Sequence, residues 1–491
     1  MTFTLSAFSI AWPEVFLLLA LCLVLLLDMR ASKESPLVTY LATQLSLWTT
    51  VLLVYGSTFS RDDRITGLGA MYIVDDIGGL LKISILLMSS LSFAYARQYL
   101  REQNLWRGEF FVLGLAAVLG MLVMVSGYHM LVLYLGLELL ALAMYALVAM
   151  QRHNTRATEA AVKYFVLGAM ASGLVLYGMS MLYGISGTLH INDLRAYLQA
   201  QPGLHTNILF LFALTFMVVG IAFKLGVVPF HMWLPDVYQG APTAVALFLS
   251  SAPKIAALAL LIRLLGQGLE AGQSGWAQML MVLGLLSVVL GHLVAIAQTS
   301  LKRMFAYSTI ANMGFMLLGV ISNTADGYGS AVFYVIIYAL MTAGGFAVLI
   351  LLGSRSVDPD ALDSLRGLNE RSPWFAFIML LLLLSMAGIP PTAGFYAKLA
   401  IINVVIGQGD GFAALVMVVM SVIGAFYYLR AVKWMYFDKP EDTAPVTAAL
   451  DFRILLSMNG LAMVVLGIFP GELMSLCANA VTASKLIGSS L

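Results

Sequence analysis

The stretch IAFKLGVVPFHMWLPDVYQGAPTAVALFLSSAPK, Ile221–Lys254, decides how the chain must be read. It holds Lys224 and Lys254 in apolar sequence, on either side of a segment broken by Pro229, Pro235 and Pro242. At the centre of a bilayer each lysine would cost roughly 2.5–3.5 kcal/mol. A merely structural segment has little reason to bear that cost, so these ammonium groups point to work done within the membrane.

The membrane itself follows from composition. The 491 residues are 61% hydrophobic and only 10% charged, with a mean hydropathy of +0.93. Soluble domains carry about 25% charge. Backbone groups in lipid must bond internally, so the choice is helices or a closed barrel. The apolar runs do not alternate, and they have the length of about 20 residues that a spanning helix needs. An all-α polytopic membrane protein is therefore expected, with about fourteen transmembrane helices.

These spans are Trp12–Leu27, Leu37–Phe59, Ile77–Tyr95, Phe110–Ser126, Met130–Met150, Ala161–Tyr183, Ile208–Val228, Thr243–Leu265, Ala277–Gln298, Met304–Ile321, Gly329–Leu352, Trp374–Ala397, Ala413–Met435 and Ile454–Val481. Placing the N-terminus outside and alternating puts sixteen basic residues on the inner side: Arg30, Lys33, Arg97, Arg101, Arg107, Arg152, Arg156, Lys302, Arg303, Arg355, Arg366, Arg371, Arg430, Lys433, Lys439 and Arg453. The outer side receives Arg61, Arg64, Arg195 and Lys485. Positive charge favours the cytoplasm, so both termini are expected outside. No Lys or Arg precedes Arg30, which favours a retained first span over a cleaved signal. The near-neutral net charge gives no reason to expect a nucleic-acid partner. Cys22 and Cys477 are isolated in apolar runs, which suggests neither disulfides nor a metal cluster.

A weak internal symmetry is visible. The seventh span breaks at Gly226-Val227-Val228-Pro229 and the twelfth at Gly388-Ile389-Pro390-Pro391. Interrupted spans in corresponding positions point to an ion path at a repeat interface. Five spans per repeat is an odd number, so the second copy must be inverted. The expected division is 1–107, an N-terminal three-helix segment; 108–266, the first five-helix repeat; 267–437, the second; and 438–491, a C-terminal helix.

Six basic residues lie within spans or at their edges: Lys82, Lys163, Lys224, Lys254, Arg263 and Lys398. Glu138 is the clearest intramembrane acid and the natural partner of Lys224. Attraction to it favours charged Lys224 while burial favours the neutral amine, so a small change in distance could move the proton. Lys254 could exchange that proton, or could simply bind carbonyls freed by Pro253. Lys398 could be an exit station or an interfacial lysine. Lys163, four residues after Glu159, reads equally as an intrahelical pair or part of a proton path. His231, beyond the Pro229 break, could relay protons or cap a loop, and His292 could relay within span nine. Lys82 reads as structural, and Arg263 as a helix-end residue reaching the interface. No phosphate-binding loop, dinucleotide fingerprint or haem-attachment motif occurs. Energy for transport must come from another ion gradient or from a redox partner.

FKLGVVPFHMWLPDVYQGAPT (223–243), QTSLKRMFAYSTIANMGFMLLG (298–319) and SMAGIPPTAGFYAKLAI (385–401) resemble the signatures of the antiporter-like subunits of respiratory complex I, the proton-pumping NADH:quinone oxidoreductase. The likeness runs in order along essentially the whole chain. PDVYQGAP and Lys398 fit the N-type member of that family. The resemblance implies fourteen helices in two inverted five-helix repeats, with helices seven and twelve broken. It implies proton translocation through Glu138, Lys224, Lys254 and Lys398, with Lys163 on the path. It places FMN, iron–sulfur clusters and quinone in partner subunits and no cofactor in this chain. The partners implied are other membrane-arm subunits, related antiporter-like subunits among them, in a bacterial inner membrane. One departure stands out: Asn312 occupies a position where the family often has His. Asn cannot be protonated, which leaves water or His292 to bridge Lys254 and Lys398. A free cation/proton antiporter and a non-pumping scaffold are the rival functions.

Overall fold

In the computed structural model the described residues are 9–30, 36–59, 64–201, 203–204, 207–353, 360–440, 446 and 448–484. Lys33, Arg61, Arg355 and Lys485 of the charge count lie outside them.

Among the described residues the chain is almost wholly helical. In order the helices are α1 (Trp12–Arg30), α2 (Leu37–Thr58), α3 (Asp76–Glu102), α4 (Gly108–Ser126), α5 (Met130–Val148), α6 (Thr155–Ser186), α7 (Ile191–Gln199), α8 (Ile208–Leu225), α9 (Trp233–Gly240), α10 (Thr243–Ser250), α11 (Ala252–Leu261), α12 (Gln273–Ile296), α13 (Leu301–Val320), α14 (Ala325–Leu352), α15 (Leu368–Arg371), α16 (Pro373–Ala387), α17 (Ala393–Gly407), α18 (Gly411–Phe437), α19 (Leu450–Ile468) and α20 (Pro470–Ala483). By length and composition, 12 helical segments are long and apolar enough to cross a membrane. The expected tenth span is α13, whose Lys302, Arg303, Ser308, Thr309 and Asn312 make it more polar than its neighbours. The expected twelfth is the shorter pair α16 and α17, parted at Gly388.

Three features differ from the sequence expectation. Ile454–Val481 is not one span but two helices, because Pro470 starts α20 where it can no longer donate into α19. Thr243–Leu265 is interrupted at Ser251, two residues before Pro253, and α11 then runs on as a π-helix over Ile262–Gly268. A hairpin, β1 (Ile65–Gly67) with β2 (Tyr72–Val74), lies between α2 and α3. Its three-residue strands are too short to show a period in the sequence.

The centre of the bundle is α10–α11 and α13–α14, which are buried almost throughout. The outer helices α1, α2, α6, α18 and α19 present large apolar residues outward, among them Leu19, Leu45, Met170, Val422 and Met458. Lipid requires such rows, since water would penalise them.

Two helix pairs approach through reciprocal glycines. A Cβ on Gly120 of α4 would stand 2.7 Å from the carbonyl oxygen of Gly136 on α5, and one on Gly136 2.8 Å from that of Gly120. Gly284 of α12 and Gly314 of α13 meet in the same way, at 3.2 and 2.6 Å. Small residues allow this close approach, on which helix association in lipid depends. A Gly120→Val change should part α4 from α5 at a cost of about 1–3 kcal/mol. Reduced recovery of the chain from detergent-solubilised membranes, with a lower melting temperature, checks this.

Candidate functional site

The site is built on two helix ends. Helix α8 stops because Gly226 takes a left-handed conformation, φ +79°, which glycine adopts without penalty. The amides of Gly226 and Val227 turn back to the Ala222 carbonyl, a Schellman closure. The Phe223 carbonyl accepts from Gly226 N and from Trp233 Nε1, both at 3.0 Å. The last two carbonyls are left to Lys254. Its Nζ donates to Leu225 O at 2.9 Å and to Lys224 O at 3.4 Å.

The second break repeats this arrangement. Gly388, φ +80°, ends α16, and the amides of Gly388 and Ile389 return to Leu384 O. The last two carbonyls, Met386 and Ala387, accept from Lys398 Nζ at 3.1 and 3.0 Å. Each lysine thus places its amine at the negative end of a helix dipole, which favours the charged form, and gives buried carbonyls the donors they need. Lys254 and Lys398 are 1% and 6% exposed. Each also lies near an aromatic face, Lys254 Nζ 5.4 Å from the Trp233 centroid and Lys398 Nζ 5.5 Å from that of Phe315.

The carbonyls held by Lys254, those of Lys224 and Leu225, come from the Gly226 break and not from Pro253. Lys398 is a buried helix-end ligand.

Lys224 sits in the last turn of α8, and its own carbonyl joins it to Lys254. Glu138, on α5, is the acid that acts electrostatically on Lys224. No ion pair within 4.0 Å joins the two, and Glu138 Oε1 is buried without a hydrogen-bond partner. Glu138 therefore acts on Lys224 through its charge and not through a direct ion pair.

Lys163 is drawn elsewhere. It pairs with Glu159 at 2.7 Å and with Asp236 at 2.8 Å, and its side chain is 44% exposed. Asp236 also holds Arg303 at 2.8 Å. Lys163 and Asp236 line a cavity of about 280 Å³ with Arg156, Glu159 and Gln239. The intrahelical pair read from the sequence is present, and Lys163 also bridges to the broken segment through Asp236. Sequence reasoning missed Asp236, although it stands inside the PDVYQG stretch. His231 lies in the first break, partly exposed, its ring 6.5 Å from that of Tyr307 and its Nδ1 unpartnered.

His292 is 1% exposed on α12, and its Nδ1 is 3.2 Å from the Tyr427 hydroxyl. Lys82 is structural as expected, pairing with Glu14 at 2.6 Å and donating to Tyr72 at 2.9 Å. Arg263 does not reach the interface. It is buried, and its guanidinium donates to both Asp75 oxygens, at 2.6 and 2.7 Å. A partner 188 residues away keeps it inside. Among the described residues no three His, Cys, Asp or Glu side chains gather as a metal site.

The family model described as NADH:quinone oxidoreductase/Mrp antiporter, TM, matches residues 127–424, which contain both helix breaks. NADH-quinone oxidoreductase subunit N of Thiobacillus denitrificans is 52% identical over 489 residues, covering 99% of each chain. The chain belongs to the NADH-quinone oxidoreductase subunit N family. Subunit N of Nitrosomonas europaea is 49% identical over 486 residues, covering 99% of this chain and 100% of its own. A chain of respiratory complex I from Thermus thermophilus, solved with bound aureothin, superposes with a TM-score of 0.80 at 31% identity, covering 95% of this chain and 99% of that one. A chain of the Mrp complex from Dietzia superposes with a TM-score of 0.86 at 20% identity, a likeness of fold alone. With its 12 candidate spans, this member of the family is a multi-pass membrane protein.

Proposed function

We propose that this chain is a proton-translocating membrane subunit of a bacterial NADH:quinone oxidoreductase, set in the inner membrane with both termini outside. The observation that carries the reading is the pair of helix ends, each closed by one buried lysine amine. Such an amine can be charged or neutral, and its carbonyl ligands favour the charged form while burial favours the neutral one. Two like stations with opposing influences are what a proton carrier needs.

In this reading Glu138 and Lys224 form the first station, Lys254 the second and Lys398 the outward exit, driven by quinone reduction in partner subunits that carry the cofactors. The redox chemistry belongs to those subunits, and this chain contributes the proton path. When Glu138 closes on Lys224, Lys224 gains its charge, and repulsion favours loss of a proton from Lys254. Lys163 and Asp236 serve the inner approach, and His231 lies on the same side. The matched glycine crossings and the two closures support division into two inverted repeats, 108–266 and 267–437.

Glu138→Gln removes the charge at nearly constant shape. It should lower NADH-driven proton uptake by inverted membrane vesicles by about tenfold or more. Uptake at the unsubstituted rate in an assembled complex would favour a non-pumping scaffold. Sodium uptake driven by a pH gradient, without NADH, would favour a cation/proton antiporter. Asp236→Asn should have a smaller effect. It releases Lys163 and Arg303 at a partly exposed site, and surface pairs hold little energy. A severalfold slower uptake with unchanged assembly on native gels is expected.

A further inference from the structure

Beside the hairpin β1–β2, a pair of histidines stands outside the proposed proton path. The chain enters α5 through Gly127-Tyr128-His129 and enters α7 through Thr188-Leu189-His190. Gly127 bridges to Tyr72 of β2, and the two entering segments run antiparallel with His129 opposite His190. Met130 N donates to Leu189 O at 2.9 Å, and Ile191 N donates to Tyr128 O at 3.3 Å. These bonds flank the histidines and leave them as a non-hydrogen-bonded pair. In such a pair the opposite Cα atoms are about 4.5 Å apart and the side chains stand closest. The two imidazole rings meet edge to face, with centroids 4.6 Å apart.

His190 Nδ1 is buried without a hydrogen-bond partner. Nearly all buried polar atoms are paired, so an orphan of this kind calls for an ion, a water or a chemical role. His129 is 9% exposed, and its Nδ1 accepts from Leu131 N at 3.3 Å. That bond sets the ring proton on Nε2. Ligation through Nε2 moves the proton to Nδ1 and gives up this one long bond. Burial, and after it the adjoining His190, hold His129 below the usual histidine range. The ring therefore keeps the neutral form that a metal ligand needs. Arg64 is engaged elsewhere: its guanidinium donates to the Tyr128 hydroxyl and lies 5.0 Å from that ring's centroid. Successive side chains of an extended segment point to opposite faces, so Tyr128 draws this charge away from His129.

We propose that His129 and His190 together bind one divalent transition-metal cation of the zinc class, each through one imidazole nitrogen, with water in the remaining positions. Imidazole suits zinc, copper and nickel, whereas magnesium and calcium take oxygen ligands. At zinc–nitrogen distances of about 2.0–2.1 Å, tetrahedral ligation sets two ring centroids about 5 Å apart. The observed 4.6 Å is close to that separation, and small side-chain rotations turn the edge-to-face contact into a shared site. Among the described residues no third His, Cys, Asp or Glu joins the pair. The site is thus open and completed by solvent, unlike a closed structural zinc centre. The bound ion clasps the entry of α5 to the entry of α7.

The test uses the purified, assembled complex, freed of divalent ions and equilibrated by dialysis with zinc. His190→Leu and His129→Asn are each expected to leave one zinc fewer per complex, with affinity at this site lowered about tenfold or more. Asparagine is a good N-cap, so His129→Asn keeps an acceptor for Leu131 N while removing the imidazole. It decides the matter if His190→Leu fails to assemble. Zinc is also expected to raise the melting temperature of the unsubstituted complex more than that of either variant, because only the folded chain brings the two segments together. Magnesium is expected to show neither difference. Equal zinc content in the unsubstituted complex and both variants overturns the site, as does a loss caused by one substitution and not the other. A magnesium difference equal to that of zinc overturns imidazole ligation. A melting temperature that zinc raises equally in all three overturns the clasp.

Discussion

Lys254→Arg is expected to stop proton transfer through this chain while preserving the closure of α8. Arginine keeps a cation and several donors for the Leu225 and Lys224 carbonyls but does not deprotonate in a protein. Lysine meets the same carbonyls and can also release its proton. The expected result is a fall in NADH-driven proton uptake of about tenfold or more, with the complex intact on native gels. Lys254→Ala is a poorer test, because two buried carbonyls lose their donor. A hydrogen bond from a charged group contributes about 1.5–3 kcal/mol, so alanine mixes a stability defect with a transport defect. Wild-type uptake in Lys254→Arg would mean that Lys254 is only a structural clasp.

The largest structural effect is expected at Asp75 and Arg263. Their side chains are 0% and 2% exposed, and the guanidinium also donates to Val125 O at 2.9 Å and to Gln267 Oε1 at 3.1 Å. The pair ties the start of α3 to the π-helical end of α11. Asp75→Ala strands a buried guanidinium and should cost about 3–5 kcal/mol. Loss of most of the assembled chain at growth temperature is the expected readout. Asp75→Leu with Arg263→Leu removes both charges and should recover part of that loss. A double variant no better than the single one would show that the hydrogen bonds to Val125 and Gln267, and not the charge pair, hold this junction.

Much of the membrane architecture was legible because it depends on local composition. A helix in lipid needs an unbroken apolar run, and its ends announce themselves as charged loops. The breaks were legible for the same reason, since glycine and proline act within one turn. The lysines stood out because their cost in lipid is large. Limits appeared where local sequence understated a joint. The proline at 470 divides an apolar run that otherwise reads as one span, and Pro253 marks an interruption that begins at Ser251. The β-hairpin gave no periodic signal at all.

Read by itself, the stretch Ile221–Lys254 determined that a helix breaks within Gly226–Pro229 and that two lysines stand in apolar sequence near the break. Only the tertiary structure decided that Lys254 closes that helix end, and that Lys398 closes the other in the same way. It also decided that Lys163 answers to Asp236, that Arg263 stays inside against Asp75, and that Asn312 is held between Ser308 and Tyr334. Spacing along one helix predicts neighbours three or four residues away. Partners on different helices depend on where those helices cross, and here the glycine contacts of α4 with α5 and of α12 with α13 help set the crossings.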